Sequence, residues 1–287
     1  MLNPVDTKNP TAVAGFVRRI FDELFPGATP TLFPRAFTDI EALFRGQHPG
    51  YLPLDLHYHD LQHTMQATVC LTQLLQGAHL ARDGHELTPR QYDVAIVTVL
   101  LHDTGYLKIR SDIIGTGAKY TLTHVLRSCA FAASYLPTIG VLDTEITSVL
   151  SAINCTGPTN EIGRLVFNSP IDRFVGCAVA TADYLGQMSA SDYPDKLKVL
   201  YGEFLESDTF ISLPTSRRMF KSVEDLTRKT PDFWTKFVLP RLDNQLDKVY
   251  RYLAHPYPGG RNEYFEAVEK NIDLVRQRLA DRSSPAN

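Results

Sequence analysis

The sequence has few cysteines, and none lies close enough to another to form a local motif. Cys70, Cys129, Cys155 and Cys177 are widely spaced, which excludes a CxxC metal or redox site. Each lies among apolar or small residues, as buried thiols do. The sequence therefore predicts four buried, reduced cysteines and gives no reason to expect a disulfide.

The sequence also lacks long apolar runs and a large excess of charge. The longest largely apolar run, residues 94–101, is far shorter than the ~20 residues that cross a bilayer. The N-terminal residues lack the basic start and apolar stretch of a signal peptide. A formal net charge of −3 gives no electrostatic reason to expect a nucleic-acid polymer as a partner. We therefore expect a cytoplasmic protein with no membrane and no nucleic-acid partner.

Apolar residues recur at helical spacing through most of the 287 residues, and no strand-like alternation stands out. Thr88-Pro89 and Ser169-Pro170 are the clearest start signals, because each pairs an N-cap with proline at the first helical position. The pattern predicts an all-α protein. The expected helices cover residues 13–24, 37–44, 55–80, 89–101, 120–136, 144–153, 170–188 and 194–205, with further helices over 215–280 broken near Pro231, Pro240 and Pro256–Gly260.

His102 and Asp103 end the apolar run of residues 94–101. Burying a charged pair is costly unless something neutralises it, and a divalent metal ion would do so. The alternative is a solvent-facing helix C-terminus, where the helix dipole favours histidine. Asp183 raises the same question, because an acid within a small, apolar helical segment needs a cation or several donors. A salt bridge to an arginine is the alternative for Asp183.

His59 and His63 lie four residues apart on a predicted helix, so both would project from one face. Two surface or capping histidines are the alternative. The stretch His59–His63 is similar to HExxH, with Asp60 in place of glutamate; the shorter side chain would misplace the base of a zinc protease. His124 follows a glycine-rich loop and begins a predicted helix. It is a candidate ligand of a second metal ion or a capping residue.

Taken in order, Tyr58–His63, His102-Asp103 and Asp183 resemble the H…HD…D pattern of the HD superfamily of metal-dependent phosphohydrolases, which includes the cyclic-nucleotide phosphodiesterases. The phosphodiesterase-like branch begins with Tyr-His-Asn-x-x-His, and here Asp60 replaces the asparagine. The resemblance implies an HD-domain/phosphodiesterase-like helical bundle. It places the HD core at about 51–190, with helical extensions over 1–50 and 191–287, in a single domain 1–287.

The resemblance also implies roles for individual residues. His63, His102, Asp103 and Asp183 would bind one divalent ion, and His59 would protonate the leaving oxygen. Asp103 would also orient the attacking water. A set of nitrogen and oxygen ligands suits Mn, Fe, Ni, Zn or Mg.

Two departures from the family pattern concern a second metal ion. The phosphodiesterase branch continues its pair as HDxxH, whereas this sequence continues with Thr104-Gly105-Tyr106. Many binuclear members carry a further histidine where this sequence has Ala152–Thr156. We therefore expect one metal site, with His124 as the candidate for a second.

The function expected from this set is hydrolysis of a small phosphorylated substrate, such as a nucleotide or cyclic nucleotide. Lys108, Lys119 and Arg127, together with Arg110, follow the HD pair and are candidates for binding phosphate. A solvated loop is the alternative for these residues. An HD-fold di-iron oxygenase and a non-catalytic nucleotide- or metal-binding sensor remain alternative functions, and a homodimer is compatible with the sequence.

Overall fold

The computed structural model describes residue 2 and residues 4–283, and this part of the chain is all-α, as predicted. No strand occurs in the described residues, where β-type pairing is limited to two isolated bridges, Tyr51 with Ile109 and His255 with Arg261. The α-helices are α1 (Pro10–Leu24), α2 (Phe33–Phe44), α3 (Leu61–Ala81), α4 (Pro89–Leu101), α5 (His124–Tyr135), α6 (Asp143–Thr156), α7 (Pro170–Met188), α8 (Tyr193–Phe210), α9 (Val223–Asp232), α10 (Leu239–Asn244) and α11 (Glu263–Ser283). Within the described residues, none of these helices combines the length and the apolar composition needed to cross a membrane.

Helices α4 and α7 begin where their capping residues predict. The Thr88 hydroxyl accepts a hydrogen bond from the Gln91 backbone N–H, and Gln91 Oε1 accepts one from the Thr88 backbone N–H. The Ser169 hydroxyl accepts from the backbone of Asp172. These caps fix the helix starts, so α4 ends at the His102-Asp103 pair and α7 carries Asp183 in its last turns.

Helix α3 begins six residues later than predicted from Asp55, because Asp60 is its N-cap. Asp60 Oδ1 accepts a hydrogen bond of 2.8 Å from the His63 backbone. His59 therefore lies in the loop before the helix, and the prediction that His59 and His63 share a helical face is wrong. The HExxH interpretation also fails, because Asp60 caps the helix and the two histidines are not one turn apart on it.

The other differences concern helix ends and prolines. α5 begins at His124, and residues 117–120 form a 3-10 turn that hydrogen bonds to Asp55. α2, α6 and α8 are each longer than predicted. The chain remains helical past Pro231 and Pro240, because a π-helical segment, Phe233–Val238, joins α9 to α10 and absorbs the disturbed hydrogen-bond ladder. The predicted interruption at Pro256–Gly260 is present, just before α11.

The helices surround an apolar core that includes residues from Val13 on α1 to Val275 on α11. α3 and α7 form its most extensive helix pair. They approach closely at Gly186, where a Cβ atom would lie only 2.9 Å from the backbone of Gln66 and Ala67. This close crossing brings Asp183, one turn before Gly186, toward His63, one turn before Ala67. The four cysteines are free and buried, as predicted.

Candidate metal centre

Four side chains from three separate helical regions meet at one buried point. His63 comes from the first turn of α3, His102 and Asp103 from the end of α4, and Asp183 from α7. His63 Nε2 lies 3.2 Å from both Asp103 Oδ2 and Asp183 Oδ1. His102 Nε2 lies 3.4 Å from Asp103 Oδ2, 3.7 Å from Asp183 Oδ1 and 3.3 Å from His63 Nε2. The structure thus brings together all four residues that the sequence predicts as first-site ligands.

The spacing and orientation of these atoms fit a metal ion. With ligand bonds of ~2.1 Å, neighbouring ligand atoms of a tetrahedral or octahedral site are about 3.0–3.4 Å apart, close to the separations seen here. His102 Nδ1 lies 2.6 Å from the Val99 carbonyl and donates to it, which leaves the Nε2 lone pair facing the cluster. Asp103 Oδ2 is buried and has no hydrogen-bond partner among the described residues. An ion at the centre of the cluster would satisfy this oxygen.

The cluster also concentrates negative charge that needs a cation. Burial lowers the pKa of both imidazoles, but the neighbouring carboxylates outweigh it; Asp103 and Asp183 raise the pKa of His63 to about 10, and Asp103 raises that of His102. Burial raises the pKa of both carboxyl groups, yet the histidines hold the pKa of Asp103 and of Asp183 below its usual range. Both acids therefore stay charged. Protons and a metal ion compete for the imidazole nitrogens, and either one would neutralise the two carboxylates.

Asp183 is held in place by its own helix. Gln187 donates a hydrogen bond of 3.2 Å to Asp183 Oδ1, and its amide oxygen accepts one of 2.7 Å from the Tyr58 hydroxyl. No arginine contributes to this cluster among the described residues, so the salt-bridge alternative for Asp183 is not what the structure shows.

His124 stands on the other side of Asp103 from the main cluster. Its Nε2 lies 3.8 Å from Asp103 Oδ1, while Nδ1 donates to the Thr121 carbonyl at 2.7 Å. Burial lowers the pKa of His124, which keeps the ring neutral and Nε2 available as a ligand. The position depends on Gly105, where a Cβ atom would lie 1.9 Å from the His124 carbonyl oxygen. Asp103 Oδ1 thus faces His124, whereas Asp103 Oδ2 faces His63 and His102.

His59 reaches the site from the loop before α3, held by an acid from α8. Glu203 is buried; its Oε2 lies 2.6 Å from His59 Nδ1, and its Oε1 accepts from the backbone of Tyr58 at 2.8 Å. Burial raises the pKa of Glu203, but His59 and the backbone donors lower it overall. The centroid of the His59 ring lies 5.6 Å from that of the His63 ring. With Nδ1 bound to Glu203, His59 Nε2 is the nitrogen left for chemistry.

A family model with the description Npun_R2479-like matches residues 53–259, more than half of the chain. This chain belongs to the Npun_R2479-like family. No curated protein matches it. The part of the chain that matches the family contains the four residues of the cluster and also His59, His124 and Glu203.

The structure of this Npun_R2479-like protein does not support the predicted phosphate-binding residues. Lys108 Nζ binds Asp55 Oδ2 at 2.7 Å and the Gly115 carbonyl at 2.5 Å. Lys119 binds the Asp112 carboxylate and the Ile114 carbonyl. Arg127 and Arg110 donate to backbone carbonyls of neighbouring turns. Lys119 and Arg127 thus bind acceptors within or beside the loop that follows the HD pair, whereas Arg110 and Lys108 join this loop to residues 46–55.

Sequence reasoning missed Glu203 and Lys196, which both come from α8. Lys196 lines a narrow cleft at the cluster, and its Nζ lies 3.8 Å from the nearest oxygens of Asp60 and Asp192. The cleft has a volume of about 10 Å³, room for about one water molecule. Nothing in the sequence distinguishes Glu203 from the nearby acids Glu206 and Asp208.

Proposed function

We propose that this Npun_R2479-like protein is a metal-dependent phosphohydrolase of the HD superfamily. Its substrate would be a small phosphoester of the nucleotide or cyclic-nucleotide type. One observation carries the proposal: His63, His102, Asp103 and Asp183, in the order H…HD…D, meet in a buried cluster at separations of 3.2–3.7 Å. Such a set of two imidazoles and two carboxylates is a metal-binding environment, and its chain order is the one found in that superfamily.

The four clustered residues would hold one divalent ion, Mn, Fe, Ni, Zn or Mg. When bound, such an ion supplies Lewis-acid chemistry, acidifying a water molecule and polarising a phosphoryl oxygen. Asp103 contributes more than charge, because its second oxygen faces His124 and can accept a hydrogen bond from the attacking water. The burial of the cluster excludes bulk water, which strengthens each of these interactions.

His59 is the general acid in this proposal. Glu203 accepts the Nδ1 proton, so the second proton of the imidazolium is carried on Nε2. As the bond between phosphorus and the leaving oxygen breaks, that oxygen takes the Nε2 proton and His59 becomes neutral. The Glu203 carboxylate holds the His59 ring through Nδ1. This arrangement of base, imidazole and reacting atom is typical of acid–base catalysis.

Lys196 is the candidate for binding substrate phosphate. It lines the cleft together with His63, and its separations of 3.8 Å from Asp60 and Asp192 are longer than hydrogen bonds. The ammonium group forms ion pairs with both acids but no direct hydrogen bond to either, so it can turn toward an anion. Because the cleft holds about one water molecule, binding of a nucleotide-sized substrate requires the cleft to widen.

One observation favours a second candidate, an oxygenase with two irons. Asp103 Oδ1 lies 3.8 Å from His124 Nε2, so Asp103 and His124 are the residues that would hold a second ion. Two irons per chain and an oxygen-dependent reaction would distinguish this activity from hydrolysis.

We also propose a cytoplasmic location, because the four cysteines are buried and free.

Metal analysis and a phosphoester panel test the proposal. We expect the purified protein to bind one divalent ion per chain and to hydrolyse at least one phosphoester with Mn, Ni, Co, Mg or Fe. Asp103→Ala should lose both the metal and turnover. Asp232→Asn, whose side chain is 63% exposed, is the matched control and should keep both. Wild-type rates in Asp103→Ala would refute the proposal.

A further inference from the structure

Tyr106 lies under two histidines of the site. It ends the 3-10 turn Thr104–Tyr106 that follows the HD pair, and it is 1% exposed. Its ring centroid lies 4.7 Å from that of His59, with the planes 21° apart, and 4.6 Å from that of His124, with the planes 11° apart. Both separations and angles are those of offset-stacked rings.

The two imidazoles rest on the same face of the Tyr106 ring. Their centroids are 6.3 Å apart. Rings on opposite faces would be separated by at least about 7 Å, twice the ~3.5 Å contact distance of stacked carbon atoms. Tyr106 also packs with Leu56 and Ala118 in a small apolar cluster, so the tyrosine ring itself is fixed. It forms a rigid platform that carries His59 and His124 side by side.

Among the described residues, each imidazole makes one hydrogen bond, and the Tyr58 and His63 rings also lie edge-on to His59, at 5.0 and 5.6 Å between centroids. Glu203 binds His59 at Nδ1, and the Thr121 carbonyl binds His124 at Nδ1. A single hydrogen bond at the edge of a ring leaves the ring free to swing about that bond. Contact with a flat surface removes this freedom, because the ring plane must then lie along the platform. Edge and face contacts together set the direction of both Nε2 atoms.

We propose that Tyr106 is a positioning residue, whose ring aligns His59 and His124 at the candidate metal centre. The ring carries this role and the hydroxyl does not. The hydroxyl is buried beside the Thr121 side chain, and among the described residues it makes no hydrogen bond to either imidazole. The inference deepens the proposed phosphohydrolase function and rests on it, since alignment of His59 matters only if His59 transfers a proton.

The stacking can be tested without any substrate. In histidine-labelled protein, the ring protons of His59 and His124 should be shifted upfield in NMR spectra by the Tyr106 ring. Tyr106→Phe should keep these shifts. In Tyr106→Leu and Tyr106→Met, the chemical shifts of the His59 and His124 ring protons should move toward random-coil values. The shifts of the other histidines should stay unchanged. Tyr106→Met has no ring, but its flexible side chain adapts to the space that the ring leaves, so it serves if Tyr106→Leu does not fold. Phe131→Leu removes an aromatic ring of α5 outside the stack and is the control.

Kinetics test the role in catalysis. The substrate is phenyl phosphate or diphenyl phosphate, whichever the wild type hydrolyses, since phenolate leaves poorly without a proton. Tyr106→Met should lower kcat about tenfold or more, with KM and bound metal unchanged, and Tyr106→Phe should match the wild type. Equal losses in Tyr106→Phe and Tyr106→Met would overturn the proposal, as would unchanged histidine shifts in Tyr106→Met. If the wild type hydrolyses no phosphoester, the proposed function fails and the NMR shifts alone decide whether Tyr106 positions the histidines.

Discussion

Glu203 Oε2 lies 2.6 Å from His59 Nδ1, although 144 residues separate the two in the chain. The contact ties α8 to the loop before α3. Glu203 also accepts hydrogen bonds from the backbone of His57 and Tyr58, at 3.2 and 2.8 Å, so it fixes the loop as well as the imidazole. The candidate acid of the site is therefore positioned by a helix that lies outside the sequence pattern of ligands.

Replacing Glu203 by glutamine should slow turnover without removing the metal. The amide oxygen can still accept a hydrogen bond from Nδ1, but a neutral acceptor makes a weaker hydrogen bond than a carboxylate and holds the ring less firmly. We expect Glu203→Gln to lower kcat for phenyl esters by about tenfold or more, with unchanged metal content. Steady-state kinetics and elemental analysis measure the two effects. Asp195→Asn changes an exposed acid of the same helix and should behave as the wild type; equal kcat in both variants would exclude a role for Glu203.

His59→Asn should show a loss that depends on the leaving group. A general acid assists an oxygen that leaves poorly as an anion, and its contribution is about 10²–10⁴-fold. We expect a loss of about 10²-fold for phenyl esters and a much smaller loss for p-nitrophenyl esters, whose phenolate needs no proton. The metal content should stay at one ion, because His59 lies outside the ligand cluster. A similar loss for both esters would contradict the acid role.

Local signals in the sequence predict several helix starts, whereas the ligand set is implied by the resemblance to the H…HD…D pattern. Thr88-Pro89 and Ser169-Pro170 are short-range capping patterns, so the structure reproduces them. The misplaced start of α3 was also a local matter, since Asp60 is a capping residue followed by an apolar helix. Asp60 also occupies the second position of HExxH and the third of Tyr-His-Asn-x-x-His, and both patterns hide its capping role. The lesson is that an Asp at the start of an apolar periodicity favours an N-cap.

Residues whose role depends on tertiary contacts could not be predicted in the same way. Lys108 and Lys119 follow the HD pair closely, but nearness in sequence does not reveal that Asp55 and Asp112 already bind them. Glu203 and Lys196 lie on α8, and only the packing of α8 beside the loop before α3 brings them to the site. In the sequence, Glu203 and Lys196 are two of several charged residues of α8, and nothing in the local pattern distinguishes them.

Removal of the metal should destabilise the protein. Without a cation, two buried carboxylates have only imidazole protons to neutralise them, and ligand binding to the folded state adds stability by mass action. At 100 times its Kd, an ion contributes about 2.7 kcal/mol, which raises Tm by several degrees. Thermal unfolding with EDTA and with added Mn measures the difference. Asp183→Asn should abolish the shift and His85→Asn should keep it; a shift in Asp183→Asn equal to that of the wild type would remove Asp183 from the ligand set.

Asp93 is a buried acid that needs no metal ion, and it provides a contrast to the cluster. Its Oδ2 accepts hydrogen bonds from the backbone of Thr31 and Leu32, at 2.6 and 2.9 Å, and its Oδ1 accepts one of 2.7 Å from Phe33. An acid of α4 thus caps the N-terminus of α2, where the helix dipole also favours a negative charge.

Asp93→Ala should therefore unfold more easily with no change in metal binding. The substitution leaves three backbone N–H groups without an acceptor, two of them on the buried residues Leu32 and Phe33. We expect a loss of about 3 kcal/mol in the free energy of unfolding, measured by urea denaturation. Asp273→Ala, at a side chain that is 62% exposed, should stay within about 0.5 kcal/mol of the wild type. A loss of metal in Asp93→Ala, under conditions where the protein is folded, would show that α2 and the ligand cluster are coupled through α4, against this prediction.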